Sequence, residues 1–384
     1  MYFVSKLTFF IILKRMKPSE RLLSLDTLRG FDMLFIMGLA PLIMAICSLF
    51  PGGEDCFLFT TMKHVEWHGL AHHDTIFPLF LFIAGISFPF SYAKQLSNGL
   101  ARKQIYLKIF KRGFMLVFLG VVYNGLFELD FQNLRIASVL GRIGLAWMIA
   151  ALLFINFSTR IRVVISAAIL VGYWLLLWLV PAPDMPAGTD PFSFEGNLVG
   201  YVDRLLLPGK ILSETFDPEG ILSTVPAVVT AMLGMFTGEF VKQSETRISG
   251  SRKSFYMFGA ALLFLVVGLL WNFVFPINKK LWTSSFVCVM AAYSLGLFSI
   301  FYYIIDVRKF QGWTLFFRVV GLNSITIYLA QRIVSFRGIE NFFLGGLIGE
   351  CSPAWGAVLN GVGYIAVCWL FLYFLYRQKI FLKV

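Results

Sequence analysis

All four histidines of the chain fall within ten residues of the segment KHVEWHGLAHHDTIFP: His64, His68, His72 and His73. Imidazole gains and loses a proton near neutral pH, and it is also a common metal ligand. Asp74 directly follows the last histidine, and a carboxylate beside an imidazole can orient the ring or help to bind a metal. This segment, the His loop (residues 63–74), is therefore the first candidate for chemistry.

Three interpretations of the His loop stay open. His64, His68 and His72 are spaced four apart, which on a helix would place three imidazoles on one face and, with Asp74, suit zinc; the glycine within the loop would interrupt such a helix. Alternatively, two or three histidines are polar residues at the membrane interface, with Trp67 as an anchor. In the third interpretation one histidine is a general base or nucleophile that Asp74 orients.

The rest of the sequence is that of a membrane protein. Of its 384 residues 58% are hydrophobic, 17% are aromatic and 14% are charged, and the mean hydropathy is +0.77. We predict an all-α, polytopic integral membrane protein, because backbone polar groups in lipid must be satisfied within each spanning segment. About ten stretches have the length of roughly 20 residues that crosses a bilayer: 28–50, 75–93, 107–126, 136–156, 161–180, 221–241, 255–275, 282–305, 314–334 and 355–376.

The distribution of basic residues predicts the orientation of these helices. With the N-terminus inside, the inner segments hold 21 Lys and Arg residues and the outer loops hold seven. This excess fits the positive-inside rule with both termini cytoplasmic and the His loop outside. The net charge of +12 is thus a topology signal, and no nucleic-acid partner is expected.

The chain is expected to form one transmembrane domain, residues 25–384, after a cytoplasmic N-terminal segment, residues 1–24. Within that segment, residues 1–15 are too short to span a bilayer and form a surface helix or lie upstream of a start at Met16. The longest outer loop, 181–220, is rich in proline and glycine. It is long enough to close over an outer cavity as a lid, or it is an ordinary connection.

Ionisable residues inside predicted helices are the second candidate for function, since such residues normally face a bundle interior or an aqueous cavity. Asp26 is expected to cap the first helix and Arg29 to reach the inner surface. Arg142 lies inside the fourth helix, where it could meet a phosphate or carboxylate, or pair with a helix carboxylate such as Asp32. Polar clusters at helix ends add Asn278, Lys279 and Asn323, each of which alone would be an ordinary turn or packing element.

The five cysteines show no metal-ligand spacing. Cys56 and Cys351 both lie in predicted outer loops, where an oxidising exterior could join them. Two unpaired thiols are the alternative.

Six segments of the sequence resemble the motifs of one family and occur in the same order as in that family. They are LDTLRG, the His loop with its following helix (KHVEWHGLAHHDTIFPLFLFIAGIS), LRIASVLGRIG, DPEGILSTVPAVVTAMLGMFTGE, FPINKKLWTSSFV and GLNSITIYL. They resemble the membrane domain of the heparan-α-glucosaminide N-acetyltransferase family, including its bacterial members, over about Leu25 to Tyr328. The opening LDTLRG is also similar, more distantly, to membrane acyltransferases that modify sugars at the outer face.

The resemblance implies an acetyl-CoA-dependent transferase that acetylates the amino group of a glucosamine unit across the membrane. In the family, the active-site residue is the histidine of the K-H-x-x-W motif, which corresponds to His64 and acts as base or transient acetyl acceptor. The aspartate before the Phe-Pro pair corresponds to Asp74. Acceptor-binding and acetyl-CoA-binding residues are expected in the matching segments. The acceptor-binding candidates are Trp67, His68, Asn278, Lys279 and Asn323, and the acetyl-CoA-binding candidates are Arg29 and Arg142.

The expected partners are acetyl-CoA, an amino-sugar acceptor and the lipid bilayer of a bacterial inner membrane, with the His loop in the periplasm. No metal is expected, and a homodimer is left open. Two departures from the family are expected to matter. His68 stands where animal members have Asn, and we expect the large luminal domain and first helix of those members to be absent. The resemblance therefore extends neither to the contacts at His68 nor to a polymeric heparan substrate.

Two other functions remain as alternatives. A sugar or muropeptide permease could use the His loop as a proton-coupled gate, although the inverted repeats common in transporters are not apparent. A metal transporter would need ligands within the membrane, and the sequence offers no such group.

Overall fold

The computed structural model describes residues 22–186 and 188–382. Within these ranges every regular element is helical, apart from one isolated antiparallel bridge between Arg135 and Gly209. This confirms the all-α prediction. The α-helices are α1 Leu23–Leu34, α2 Ala40–Cys47, α3 Phe57–Thr61, α4 Ile76–Ser97, α5 Arg102–Tyr123, α6 Val139–Asn156, α7 Thr159–Leu179, α8 Leu198–Leu206, α9 Thr224–Lys242, α10 Gly250–Trp271, α11 Ser284–Phe301, α12 Thr314–Leu322, α13 Ser324–Ile333, α14 Phe336–Glu350 and α15 Pro353–Arg377.

The described residues fall into two compact units. The first unit contains residues 22–64, 71–76 and 300–382, with α1–α3 and α12–α15. The second contains residues 65–70 and 77–299, with α5–α10 and nearly all of α4 and α11. His64 and Asp74 thus belong to the first unit, whereas Trp67 and His68 belong to the second.

Eight helical segments of the described chain are long and apolar enough to cross a membrane. Two further segments that the sequence predicts as spans, α5 and the pair α12–α13, are helical but are not among the eight. Helix α5 carries five Lys and Arg residues in its first half, and the α12–α13 pair is interrupted at Asn323. The eight segments are Leu23–Cys47, His72–Ser97, Val139–Asn156, Thr159–Leu179, Thr224–Lys242, Gly250–Trp271, Ser284–Val307 and Pro353–Arg377.

In the first unit, glycines let α1 and α12 pack backbone against backbone. A Cβ on Gly30 would overlap the carbonyl oxygen of Phe317, and a Cβ on Gly321 would overlap that of Asp26. Small residues allow this close approach in membrane helices, where association depends on packing rather than on the hydrophobic effect. The span that begins with α1 continues through a π-helical turn, Phe35–Leu39, in which Gly38 has φ 135°.

In the second unit the same device joins α4 and α9. A Cβ on Gly85 would overlap the Ala231 carbonyl oxygen, and one on Gly234 would overlap that of Phe82. Side-chain caps fix where α6 and α8 begin. At α6, Ser138 Oγ accepts from the Gly141 amide at 3.0 Å, and at α8, Asn197 Oδ1 accepts from the Gly200 amide at 2.7 Å.

The structure adds helices in two segments that the sequence analysis treats as outer loops. Helix α8 lies within residues 181–220, and α14 precedes Cys351. Both are short, which is why a search for stretches of about 20 apolar residues misses them. Of the predicted N-terminal segment 1–24, residues 1–21 lie outside the described part of the chain.

Candidate active site

His64 and Asp74 form a hydrogen-bonded pair in the first unit. Nδ1 of His64 lies 2.6 Å from Oδ1 of Asp74. The Asp74 side chain is only 4% exposed, whereas that of His64 is 54% exposed. A buried carboxylate that accepts from Nδ1–H fixes the ring orientation and makes Nε2 the basic nitrogen.

A short 3-10 turn, His72–Asp74, presents the carboxylate. Oδ2 of Asp74 accepts from the Ala71 amide at 3.2 Å, so both carboxylate oxygens are hydrogen-bonded. The His72 amide donates to Thr61 Oγ1 at 2.8 Å and thereby ties the turn to the end of α3. The carboxylate is thus held by its own turn and by the preceding helix.

The other histidines of the first unit pack on aromatic rings. The His73 ring meets the His64 ring edge-on with centroids 4.5 Å apart, and the His72 ring lies 4.4 Å from that of Phe35. His73 therefore borders the candidate pair, and His72 packs against the first span.

The metal interpretation depended on a helix that the structure does not form. Residues 64–71 are not helical, and Gly69 has φ 117°, so the four-residue spacing of the histidines does not place them on one face. In the described ranges no group of three or more His, Cys, Asp or Glu side chains is arranged to hold a metal ion.

Trp67 is anchored within the second unit. Its Nε1–H donates to the Phe192 carbonyl oxygen at 2.8 Å, and its ring packs on Phe194 and Phe216 with centroids 5.1 and 5.3 Å apart. The residue joins the core around Tyr173, Leu198 and Phe275. Trp67 thus fixes the middle of the His loop to the long outer loop, which was predicted as a lid or a connection.

His68 meets Asn278 in the same unit. Nδ1 of His68 lies 3.4 Å from Nδ2 of Asn278, whose Oδ1 accepts from the Leu281 amide at 2.9 Å. Because the amide nitrogen can only donate, His68 Nδ1 must be the acceptor and therefore unprotonated. Desolvation lowers the pKa of His68, against the opposing effect of Asp190, which favours the same neutral form.

Lys280, which the sequence analysis did not select, contacts the His loop directly. Its Nζ donates to the Glu66 carbonyl oxygen and stands 6.0 Å from the ring centroid of Trp67. Lys279, the selected residue, is half-buried in the same turn, and its carbonyl oxygen accepts from the Trp282 amide at 3.1 Å. Sequence position alone does not distinguish two adjacent lysines in one turn.

Arg142 is almost completely buried near the start of α6, in the second unit. Its Nη2 donates to Ser223 Oγ, and its guanidinium stands 5.1 Å from the ring centroid of Trp282. Nε and Nη1 have no hydrogen-bond partner among the described residues. A buried guanidinium with two unused donors can bind an oxygen anion or a carbonyl group.

An acidic network beside Arg142 was missed by the sequence analysis. Arg135 forms a bidentate pair with Asp217, at 2.8 Å from Nε and 2.6 Å from Nη2, and also contacts Glu219. Asp203 in α8 accepts from the amides of Asp217, at 3.1 Å, and Ile221, at 2.9 Å. Burial raises the pKa of Asp203 to about 6. No local motif marks Asp203, because its partners lie 14 and 18 residues away.

Arg29 and Asn323 both belong to the first unit. Arg29 Nη1 donates to Asp26 Oδ1 at 3.2 Å, one turn along α1. Asn323 lies buried at the break between α12 and α13, and its Nδ2 has no hydrogen-bond partner among the described residues. The sequence expectations therefore fall into two sets by unit. Arg29, His64, Asp74 and Asn323 lie in the first unit, and Trp67, His68, Arg142, Asn278 and Lys279 lie in the second.

Two mammalian proteins are similar to the chain over nearly its whole length. It is 28% identical to human heparan-alpha-glucosaminide N-acetyltransferase over 417 residues, covering 95% of this chain and 60% of the human protein. It is also 28% identical to the mouse protein of the same name over 424 residues, covering 96% of this chain and 61% of that protein. The chain thus spans about three-fifths of the length of these relatives.

The family comparison covers the candidate site. The model for heparan-alpha-glucosaminide N-acetyltransferase, catalytic, matches residues 21–271, which include the whole His loop, Arg29 and Arg142. This match confirms the resemblance drawn from the six sequence segments. Because it covers more than half of the chain, the protein belongs to the family of the catalytic region of heparan-alpha-glucosaminide N-acetyltransferase.

Proposed function

We propose that the protein is a transmembrane N-acetyltransferase that moves the acetyl group of cytosolic acetyl-CoA to the amino group of a glucosamine-type sugar on the outer side. The observation that carries the proposal is the 2.6 Å contact between His64 and the buried Asp74 within a chain of this family. The names of the human and mouse relatives supply the reaction class.

In the proposed reaction, His64 Nε2 takes the proton that the amine loses as its nitrogen forms a bond to the acetyl carbon. The carbon–sulfur bond of the thioester breaks, and the CoA thiolate leaves. Asp74 holds the ring through Nδ1 and stabilises the imidazolium that forms. In the alternative route, Nε2 itself first receives the acetyl group and then passes it to the amine. Both routes use the same ring nitrogen.

The second unit supplies donors and an aromatic face suited to a sugar. His68 and Asn278 form a polar pair, and Lys279 and Lys280 directly follow Asn278 in its turn. Trp67 adds an indole that is already fixed by its bond to Phe192. We propose that this group binds the acceptor, whose hydroxyls need hydrogen-bond partners and whose ring face packs on aromatic side chains.

Arg29, in the first unit, and Arg142, in the second, are the proposed acetyl-CoA-binding residues. With the N-terminus inside, α1 begins at the cytoplasmic side and α6 begins at the outer side, so Arg29 faces the nucleotide phosphates. Arg142, with two unused buried donors, would donate hydrogen bonds to the thioester carbonyl oxygen as that oxygen gains negative charge. Donors held in a buried site stabilise such an oxyanion more than donors in water do.

Asn323, with an unused amide nitrogen in the first unit, is a further candidate for binding the acceptor.

The direct test is acetyl transfer by the purified full-length protein. It should move radiolabel from acetyl-CoA to at least one member of a panel of amino sugars, including glucosamine glycosides and muropeptides. His64→Ala should lose at least about 10³-fold of this activity while keeping the wild-type melting temperature. Full activity in the folded His64→Ala protein would contradict the assignment. Accumulation of a panel member in proteoliposomes without acetylation would favour the permease.

The two routes are separated without the acceptor. Protein mixed with acetyl-CoA alone and quenched in denaturant should gain the mass of one acetyl group on the His64 peptide if histidine is acetylated. An unmodified peptide, together with transfer that needs both substrates bound, identifies His64 as a base only.

A further inference from the structure

Cys47 and Cys56 lie side by side in the first unit. Cys47 is the last residue of α2, and Cys56 immediately precedes α3, where its sulfur accepts from the Phe59 amide at 3.4 Å. The two side chains lie within interaction range of each other, and both are free thiols. The thiol described next to Cys56 is therefore that of Cys47, whereas the sequence analysis weighed a pairing with Cys351.

The backbone between the two cysteines is folded into successive tight turns. The Phe50 amide donates to the Cys47 carbonyl oxygen at 3.0 Å, the Gly53 amide to Phe50 at 2.9 Å, and the Cys56 amide to Gly53 at 3.3 Å. A Cβ on Gly53 would overlap the Cys47 carbonyl oxygen, so this position needs glycine. The hydrogen-bonded coil therefore holds the two cysteine residues together independently of their side chains.

The two thiols differ in access. Cys47 is buried, whereas Cys56 is partly exposed. The bond from the Phe59 amide lowers the pKa of Cys56, which increases the thiolate fraction, the form that attacks a disulfide. Cys56 is thus the thiol that an external disulfide would meet first.

We propose that Cys47 and Cys56 form a disulfide, made by thiol–disulfide exchange with an oxidised dithiol carrier on the outer side of the membrane. The Cys56 thiolate attacks the carrier disulfide and releases one carrier thiol. Cys47 then attacks the mixed disulfide and releases the second. The two cysteines lose two protons and two electrons, and the carrier becomes a dithiol. The proposal rests on the predicted orientation, which places this end of α2 in an oxidising space, and not on acetyl transfer.

The disulfide would connect the first span to the turn that carries Asp74. The Cys56 carbonyl oxygen accepts from the Thr60 amide at 3.1 Å within α3, and Thr61 at the end of that helix accepts from the His72 amide at 2.8 Å. A covalent tie at Cys56 therefore restrains the helix on which the His72–Asp74 turn is fastened.

The test is the thiol state of the wild-type protein purified from membranes. Denatured protein is alkylated with and without prior reduction, and its peptides are weighed. We expect Cys47 and Cys56 to be alkylated only after reduction and to appear as one cross-linked peptide pair before it. Cys351 is the internal control and should be alkylated in both samples. Alkylation of Cys56 without reductant, or its recovery in a peptide pair with Cys351, overturns the proposal.

Three single variants and one double variant keep the result interpretable. Cys47→Ser should free Cys56 for alkylation and Cys56→Ser should free Cys47, whereas Cys351→Ser should leave the pair intact. Reductant should lower the melting temperature of the wild type by a few degrees and leave the Cys47→Ser/Cys56→Ser double variant unchanged. An equal response of the double variant to reductant would also contradict the disulfide.

Discussion

The Nδ1 atom of His64 lies 2.6 Å from Oδ1 of Asp74, a carboxylate that is almost wholly buried, while the imidazole remains half exposed. A fixed acid partner on one nitrogen and solvent access on the ring are the arrangement that a general base or an acyl acceptor needs. In a chain that belongs to the transferase family, this pair makes His64 Nε2 the candidate reactive atom.

Replacing Asp74 with Asn should lower acetyl transfer by about 10²- to 10⁴-fold. The amide keeps the shape of the side chain but removes the charge that stabilises an imidazolium at His64. Turnover of purified protein checks this, with the melting temperature as a measure of folding. His73→Ala is the matched control, because the His73 ring packs edge-on against His64 but the proposed reaction assigns it no proton. This change should lower turnover less than about tenfold. Wild-type turnover in Asp74→Asn would remove Asp74 from the mechanism.

The affinity for the acceptor should depend on the protonation of His68. Desolvation lowers the pKa of His68, so the ring stays neutral above the ordinary histidine value of about 6.5 and gains a proton only below it. Protonation removes the acceptor atom for Asn278, so the KM for the acceptor should stay constant at higher pH and rise only as the pH falls below the ordinary histidine range.

Asn278→Asp supplies a sharp comparison for this prediction. A carboxylate at 278 stabilises the protonated ring, so the rise in acceptor KM should move to higher pH. In His68→Gln the acceptor KM should be higher and should lack this His68-dependent step. Identical pH profiles in the wild type and in both variants would exclude His68 and Asn278 from acceptor binding.

Arg142→Lys should lower kcat/KM by about 10²- to 10³-fold, because one ammonium cannot reproduce the fork of donors that the buried guanidinium presents. Ser223→Ala is the matched control, since it removes the neighbour of Nη2 and leaves the guanidinium in place. If Arg142 is only structural, the melting temperature of Arg142→Lys should fall while kcat/KM of the folded fraction stays at the wild-type value. Titration of acetyl-CoA binding on the same proteins separates the two roles.

Asp203 should make the folded protein more stable at mildly acidic pH. Its pKa is raised to about 6 by burial, above the value of about 3.9 in an unfolded chain, so the folded state binds the proton more tightly. The resulting stabilisation, roughly 2–3 kcal/mol, is complete below about pH 4 and is lost as the pH rises through 6. Melting temperatures in detergent from pH 5 to 7 should therefore fall more with rising pH for the wild type than for Asp203→Asn. A constant difference between the two proteins would contradict this.

The predicted orientation is checked by labelling single cysteines in intact cells. In a protein without its native cysteines, an impermeant thiol reagent should label Ser193→Cys in the long outer loop and leave Ser97→Cys, at the end of α4, unlabelled until the cells are opened. The reverse pattern would invert the topology and would place His64 in the cytoplasm.

The sequence by itself determined the class of the protein and indicated the candidate site for its chemistry. Long apolar stretches predict membrane helices because lipid forces backbone groups to pair within a segment, and the His loop stands out because no other histidines exist in the chain. The order of six motifs was enough to identify the family, which the comparison over residues 21–271 confirmed. These signals are local, so no three-dimensional contact is needed to detect them.

Only the tertiary structure decided which residues meet. His64 pairs with Asp74, ten positions away, and not with His68 and His72 on a helix. This pairing depends on the loop between them folding back on itself. Burial raises the pKa of Asp203, and the amides that donate to its carboxylate lie 14 and 18 residues away. Cys56 meets Cys47 through the coil around Gly53. Burial, hydrogen-bond partners and pKa values are set by neighbours in space, and spacing along the chain does not specify them.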